Sequence, residues 1–293
     1  MEIAQIVQQI VGGISIGAIY SLLAVGFSLM FRASNVVHFA QGDFFMLGSY
    51  AAITFYLLVG LPFWLAVILS TACVALVGIG FEKIAYKPLW KSHHSFILMS
   101  TAATSIVLQN SASLIWGPDA WRFPRIFSDK ILHIFGVLIP VEIIWVASGA
   151  VIIMIVFNAF LQKTKLGRGF RAAAQDREMA QGMGVNLLMA DSFVFGTSAG
   201  LGAVGGVLVA PILFVTPYMG LIFTLKGFTA AILGGLGSIR GAIVGGFLLG
   251  IMENLSTAFI SSTYKDAIVF ALLLLILLFK PSGLLLKPAA EKI

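Results

Sequence analysis

The sequence predicts an all-α protein, a polytopic bundle of about eight or nine membrane-spanning helices, and three observations support this prediction. Apolar residues make up 59% of the 293 residues and charged residues 10%, whereas soluble domains contain about 25% charged residues. The apolar residues come in blocks close to the roughly 20 residues that an α-helix needs to cross a bilayer. Basic residues fall in short loops between the blocks, as the positive-inside rule expects. The net charge of +6 therefore indicates a partner bilayer and not a nucleic acid.

The candidate spans follow one another along the whole chain, which we interpret as a single transmembrane domain over 1–293. Broken or half helices are expected near 32–43, where polar residues separate two blocks, and near 234–241, where glycines surround a short break. The candidate spans are 8–31, 42–60, 62–81, 96–116, 139–161, 190–214, 218–237, 241–260 and 264–280.

Three segments rich in Lys and Arg, which begin at Lys83, Lys163 and Lys280, set the predicted orientation. An even number of crossings separates each pair, so all three lie on the cytoplasmic side together. This scheme puts the C-terminus inside and the N-terminus outside. The loop 117–138 strains the scheme, because it must lie outside although it is also basic. Its basic residues are Arg122, Arg125 and Lys130.

The charged loop 162–190 is the most informative stretch of the chain. Residues 170–181 are rich in strong helix formers and have glycines before and after them, so they predict one short surface helix. Two interpretations stay open: a solvated connector, or a docking helix that fits a groove on a cytoplasmic partner. The candidate docking residues are Arg168, Arg171, Ala172, Ala173, Ala174, Asp176, Arg177, Glu178, Gly182 and Gly184.

A polar cluster at 35–43 lies between the first two spans, and ionisable groups at membrane depth indicate function by default. Either this segment is a helix turn in water, or it folds into the bundle and offers unsatisfied backbone groups and side chains to a zwitterionic solute, as broken helices do in transporters. Gly42 would permit the backbone break. The candidate path residues are Asn35, His38, Phe39, Gln41, Gly42 and Asp43.

Two further features concern packing and charge. Glycine pairs at four-residue spacing, such as Gly246 and Gly250, predict close helix contacts, either within this bundle or with another membrane subunit. Glu253 and Asn254 are expected at a helix end near water. Lys226 either extends its amine to the interface or faces a cavity.

Three stretches resemble the permeases of branched-chain amino-acid ABC importers, over nearly the full length. They are GAIYSLLAVG at 17–26 continuing into NVVHFAQGD at 35–43, GRGFRAAAQD at 167–176 with AQGMG at 180–184, and FTAAILGGLGSIRGA at 228–242. The resemblance implies one permease domain with a cytoplasmic coupling loop at 162–190, which passes branched-chain amino acids or related small solutes across the cell inner membrane. The position ahead of the alanines is Arg171, where other ABC importers carry Glu.

The resemblance also implies partners: a second, related but different permease chain, two cytoplasmic ATPase subunits and an extracytoplasmic solute-binding protein. The sequence fits a non-catalytic subunit that binds no cofactor, since it contains no Gly-Lys dipeptide and hence no Walker A loop. ATP is then hydrolysed on the partner subunits. A permease for urea or short amides is the alternative within the family. An ion-coupled secondary transporter is the alternative outside it, with Asp43 as its one reasonable coupling residue.

Overall fold

The computed structural model describes residues 3–124, 126, 131–134, 137–280 and 283–284. Arg125 and Lys130 of the predicted outer loop lie outside these residues. Within them, the chain forms eleven α-helices, and each of the nine predicted spans corresponds to one of these helices. The helices are α1 Ile3–Ser34, α2 Gln41–Ile53, α3 Phe63–Phe81, α4 His94–Trp116, α5 Val141–Lys163, α6 Lys165–Ala173, α7 Arg177–Gly182, α8 Leu187–Val209, α9 Met219–Gly234, α10 Ile239–Phe259 and α11 Lys265–Phe279.

Membrane-spanning length is reached by several of these helices. Among the described residues, five helical stretches are long and apolar enough to cross a bilayer, and Met219–Gly234 is a shorter apolar helix. The five are Gln5–Ser34, Phe63–Leu89, Val141–Lys163, Leu187–Val209 and Ile239–Phe259. Single π-helical turns at Thr54–Leu58 and Glu82–Tyr86 extend α2 and α3. The predicted polytopic bundle is therefore confirmed.

A small hairpin in the loop between α4 and α5 is an exception to the all-α prediction. Strand β1 (Ile131–Ile134) pairs antiparallel with β2 (Val137–Pro140). Nearby, Trp121 and Val215 exchange both backbone hydrogen bonds at 2.9 Å. These pairings give backbone groups their partners at the end of the bundle where α4 and α8 finish.

Glycines bring the first and tenth helices into backbone contact along the centre of the bundle. A Cβ atom on Gly17 of α1 would meet the backbone at 246–247, and one on Gly246 of α10 would meet Ser21. Gly13 and Gly250 face each other in the same way, one turn further along. These glycine pairs therefore pack inside one bundle, where small residues allow the close approach that holds helices together in lipid.

Both predicted helix breaks are confirmed. The first lies at 35–40, between α1 and α2, and begins with Asn35 in the left-handed region at φ +53°. The second lies at 235–238, between α9 and α10, where Gly235 and Gly237 have φ values of +103° and +83°. Left-handed backbone of this kind favours glycine or asparagine. The three left-handed positions hold these residue types, so the sequence is compatible with both turns.

The described parts of the three Lys- and Arg-rich segments gather at one end of the bundle, which we call the basic end (82–91, 162–190, 280 and 283–284). Ser192 donates to Glu82 at 2.9 Å, and the Arg177 guanidinium lies 5.9 Å from the Trp90 ring centre. Leu284 N–H donates to the Leu233 carbonyl at 2.9 Å. The segments that the sequence assigns to one side of the membrane are thus neighbours in space.

Candidate coupling and translocation sites

The charged loop forms two short helices where the sequence predicts one at 170–181, so that prediction is wrong. Helix α6 begins earlier, because the Thr164 hydroxyl accepts from Gly167 N–H at 3.1 Å and caps it. Helix α7 begins after Asp176, whose carboxylate accepts from Met179 N–H at 2.9 Å. An N-cap residue leaves helical geometry, so Asp176 separates the two helices. The loop is a bent pair of helices rather than one rod.

Arg177 anchors α7 to the bundle, although the sequence alone suggested a surface residue. Its Nη1 and Nη2 donate to the two carboxylate oxygens of Asp191 on α8, at 3.0 and 2.8 Å. Nη1 also donates to the Ala33 carbonyl in the last turn of α1, at 3.2 Å. The hydrogen bonds that Arg177 donates to Asp191 raise the pKa of the guanidinium above its usual value. A paired fork of this kind fixes geometry as well as charge.

The remaining candidate docking residues divide between exposed and packed positions. Ala173 is buried, and Arg171, Ala172 and Ala174 are partly buried. The exposed candidates are Arg168, Asp176, Glu178, Gly182 and Gly184. The alanines therefore hold α6 against the bundle, while Arg168, Asp176, Glu178 and the two glycines face outward.

Four large apolar side chains next to these positions are exposed, and they are not among the residues that the sequence singles out. They are Met179, Met183, Leu188 and Met189, of which Met183 is 83% exposed. Methionine suits surfaces that adapt to a partner, and the four-residue spacing of Met179 and Met183 could have indicated a shared helical face. We call these four residues the methionine face.

The polar break at 35–40 folds into the bundle, as the second interpretation expected. Gly42 N–H donates to the Thr224 hydroxyl on α9 at 2.9 Å, and that hydroxyl donates to the Phe39 carbonyl at 3.1 Å. Phe39 N–H donates to the Thr101 hydroxyl on α4 at 3.3 Å. Two neighbouring helices thus satisfy backbone groups that a continuous helix would pair by itself. The expectation of unsatisfied backbone groups is therefore wrong for Phe39 and Gly42.

Gln41 and Asp43, at the start of α2, are fully buried. The Gln41 amide donates to the Ser198 carbonyl on α8 and accepts from the Ser198 hydroxyl, both at 3.0 Å. One Asp43 oxygen accepts from Gln109 on α4 at 3.0 Å. The other has no hydrogen-bond partner among the described residues. A buried carboxylate oxygen without a partner is costly, so this position suits a group that the chain itself does not supply.

His38 and Asn35 occupy different environments. His38 is buried, with Phe81 and Phe44 ring centres 4.4 and 5.6 Å from its own, and neither ring nitrogen has a hydrogen-bond partner in the described part of the chain. Asn35 is exposed and lines a cavity at the basic end together with Arg177. The predicted path residues are therefore split: Asn35 lies beside the coupling helices, and the rest lie within the bundle.

A buried charge cluster links α1, α9, α10 and α11. Lys226 pairs with Glu253 at 2.6 Å and with Asp266 at 2.8 Å, and the Tyr20 hydroxyl donates to Glu253 at 2.7 Å. Lys226 and Glu253 are each 5% exposed. The prediction that Glu253 marks a helix end near water is therefore wrong, because α10 continues to Phe259. Lys226 and Glu253 are 27 positions apart on different helices, so the sequence gives no sign of the pair.

Comparison with known proteins identifies the family. A protein-family model, described as the permease component of the branched-chain amino-acid transport system, matches residues 9–277 of this chain. The chain belongs to this permease family. It is accordingly a multi-pass membrane protein and a transport permease component, which agrees with the resemblance carried by the three sequence stretches.

Curated relatives match this permease over almost their whole length. LivH of Escherichia coli, a high-affinity branched-chain amino-acid transport permease, is 34% identical over 98% of this chain and 97% of its own. BraD of Pseudomonas aeruginosa is 33% identical over 100% of this chain and 99% of its own. A probable LivH of Methanocaldococcus jannaschii is 30% identical over 93% and 90%. The likeness thus extends through every helix of the bundle.

Proposed function

We propose that this permease forms half of the translocation path of an ABC importer for branched-chain amino acids. The observation that carries the proposal is the full-length likeness to relatives named as branched-chain amino-acid permeases, at 34% identity for LivH. Transport is driven by ATP that separate subunits hydrolyse, and the permease needs no cofactor of its own. A second, related permease chain completes the path, and an extracytoplasmic binding protein delivers the solute.

The basic end faces the cytoplasm in this proposal, which leaves the C-terminus inside and the N-terminus outside. Its Lys and Arg residues favour that side. The ATPase subunits dock on α6 and α7, where the methionine face offers apolar contact and Arg168, Asp176 and Glu178 offer charge. A helix that fits a partner's groove commonly uses such a mixed face.

Movement of the ATPases reaches the bundle through Arg177. This residue bonds both Asp191 at the start of α8 and the Ala33 carbonyl at the end of α1. A shift of α7 therefore pulls on the residue that directly precedes Ser34 and Asn35, where the first helix break begins. Coupling of this kind needs an element with two discrete arrangements, and we assign this role to the break at 35–40.

In this proposal the solute crosses the membrane past the first break, at 35–40 between α1 and α2. The unpaired Asp43 oxygen suits the ammonium group of an amino acid. The first turn of α2, beside Gln41 and Gly42, presents the positive end of a helix to the carboxylate. His38 and Phe39 supply apolar and aromatic surface for the side chain. Because Asp43 is buried, the break must open during transport before the solute can reach it.

Uptake by a reconstituted complex tests the proposal. Vesicles would contain this permease with its second permease, the two ATPases and the binding protein, and labelled leucine uptake would be followed with and without ATP. The proposal expects uptake that depends on ATP and on the binding protein. Leucine uptake by this chain alone, driven by an ion gradient, would establish a secondary transporter and refute it.

The coupling residues are tested in the same vesicles. Arg171→Glu and Ala174→Trp should leave membrane insertion intact and abolish ATP-driven uptake, because one reverses charge and the other adds bulk at the packed side of α6. Lys87→Gln, an exposed change on another basic segment, is the matched control and should transport normally. Normal uptake in both coupling variants would remove α6 from the docking surface.

A further inference from the structure

A cavity of about 720 Å³ opens at the basic end between α1, α5, α6 and the turn that joins α9 to α10. It lies beside the coupling helices but extends beyond them, because two of its charged residues belong to α1 and α10. Its polar lining consists of three arginines, two amides and a hydroxyl. These are Arg32, Arg171, Arg240, Asn158, Gln162 and Ser238.

The arginines bring positive charge to this cavity without a balancing carboxylate. In the ranges that the structure describes, none of the three forms an ion pair, and no acidic side chain lines the cavity. Helix α10 begins here, with the Ser238 hydroxyl accepting from Gly241 N–H at 3.1 Å. Its positive dipole end adds to the charge of the guanidinium groups. The cavity therefore matches an anion with several oxygens, such as a phosphate.

An exposed apolar surface continues directly from the charged cavity. On α10, Val244, Leu248 and Met252 follow Arg240 at four-residue spacing, and they are 42%, 37% and 41% exposed. On α5, Ile155 lies one turn before Asn158 and is 62% exposed. Residues four apart share a helix face, so an apolar strip runs along the bundle from the arginines toward the centre of the membrane.

We infer that this cavity binds the headgroup phosphate of an anionic phospholipid, whose acyl chains lie along the apolar strip. Basic pockets between membrane helices recognise anionic headgroups. An acidic protein segment would use the arginines but would have no need of the strip, which is why the surface favours a lipid. The inference requires that the chain spans a membrane and does not depend on which solute it transports.

Lipid retention by the purified permease tests the inference. The protein would be purified in detergent and mixed with equal amounts of phosphatidylglycerol and phosphatidylcholine, and bound lipids would be counted by native mass spectrometry. The wild type should retain phosphatidylglycerol preferentially. Arg32→Gln with Arg240→Gln should lower that preference by about fivefold for each arginine removed. Lys83→Gln with Lys87→Gln, which removes the same charge from exposed positions elsewhere, should retain it.

Each other outcome overturns the assignment. Equal loss in the two double variants would mean that the effect is general surface charge. Displacement of phosphatidylglycerol by inorganic phosphate at the same concentration would make the site one for a soluble anion. If the Arg32→Gln, Arg240→Gln protein keeps the lipid but no longer co-purifies with the ATPases, the cavity receives an acidic segment of that partner instead. Size-exclusion profiles matching the wild type would establish that both variants are folded.

Discussion

Removal of Lys226 should destabilise the bundle far more than neutralisation of its partner Glu253. Lys226→Met leaves two carboxylates, Glu253 and Asp266, without a cation at a position where the lysine is almost wholly buried. Glu253→Gln leaves the lysine paired with Asp266 at 2.8 Å and keeps an oxygen for the Tyr20 hydroxyl. Both substitutions remove the Lys226–Glu253 ion pair, but they leave different charged groups in the cluster.

The expected losses in the free energy of unfolding follow from the groups that each substitution leaves behind. Loss of one partner from a buried ion pair costs about 3–5 kcal/mol, which applies to Lys226→Met. Loss of one charge-assisted hydrogen bond costs about 2 kcal/mol, which applies to Glu253→Gln. The double variant should be more stable than the sum of the single changes predicts, because it also removes the carboxylate that Lys226→Met leaves unpaired.

Unfolding of the purified permease in bicelles, followed by steric trapping, would measure these free energies. Lys163→Met is the control, since Lys163 is exposed and its replacement should change stability by no more than about 0.5 kcal/mol. If Lys226→Met destabilised the protein no more than Glu253→Gln does, the cluster would not be held by its lysine, and the reasoning would fail.

Three further predictions concern coupling, the path and packing. Arg177→Gln should weaken the attachment of α7 by about 1 kcal/mol, since the Arg177–Asp191 ion pair is partly exposed. The same substitution should raise the amount of ATP hydrolysed per leucine transported, whereas the control Lys165→Gln should not. Asp43→Asn should lower uptake about tenfold with ATPase docking intact; unchanged rate and specificity would make the residue structural. Gly246→Ala should destabilise the bundle by about 1–3 kcal/mol in the bicelle assay, because its Cβ meets Ser21, while Gly80→Ala, which meets nothing nearby, should not.

Most of the bundle follows from the sequence because membrane helices are specified by apolar length alone. Local signals also placed both breaks, because the polar segment at 35–43 and the glycines near 235–237 need no tertiary information. The expected role of Gly42 in the first break was wrong, since Gly42 lies inside α2 and the left-handed residue is Asn35. The hairpin at 131–140 was not predicted. Its stability depends on contacts with α1 and α5, and such contacts have no signature in so short a stretch of sequence.

The sites were less predictable because their contacts join residues far apart in the chain. Asp176 is a recognisable N-cap type, so the division of the coupling loop into α6 and α7 could have been found locally. The Lys226–Glu253 pair could not have been predicted from the sequence, because nothing in a sequence shows which helices are neighbours. The hydrogen bonds that the Thr224 and Thr101 hydroxyls form with the backbone of the break could not be predicted either. A threonine in an apolar helix usually forms a hydrogen bond with the backbone of its own helix.

The hydroxyl of Thr224 makes the first break a conditional structure. It accepts from Gly42 N–H and donates to the Phe39 carbonyl, so one side chain of α9 holds two backbone groups of another segment. A displacement of α9 by little more than the length of a hydrogen bond would free both groups at once, and each is costly to leave unpaired inside a membrane. Intermediate positions are therefore unfavourable, and the break should switch between two discrete states rather than deform gradually. A transporter that opens to one side at a time requires this all-or-none response from its backbone.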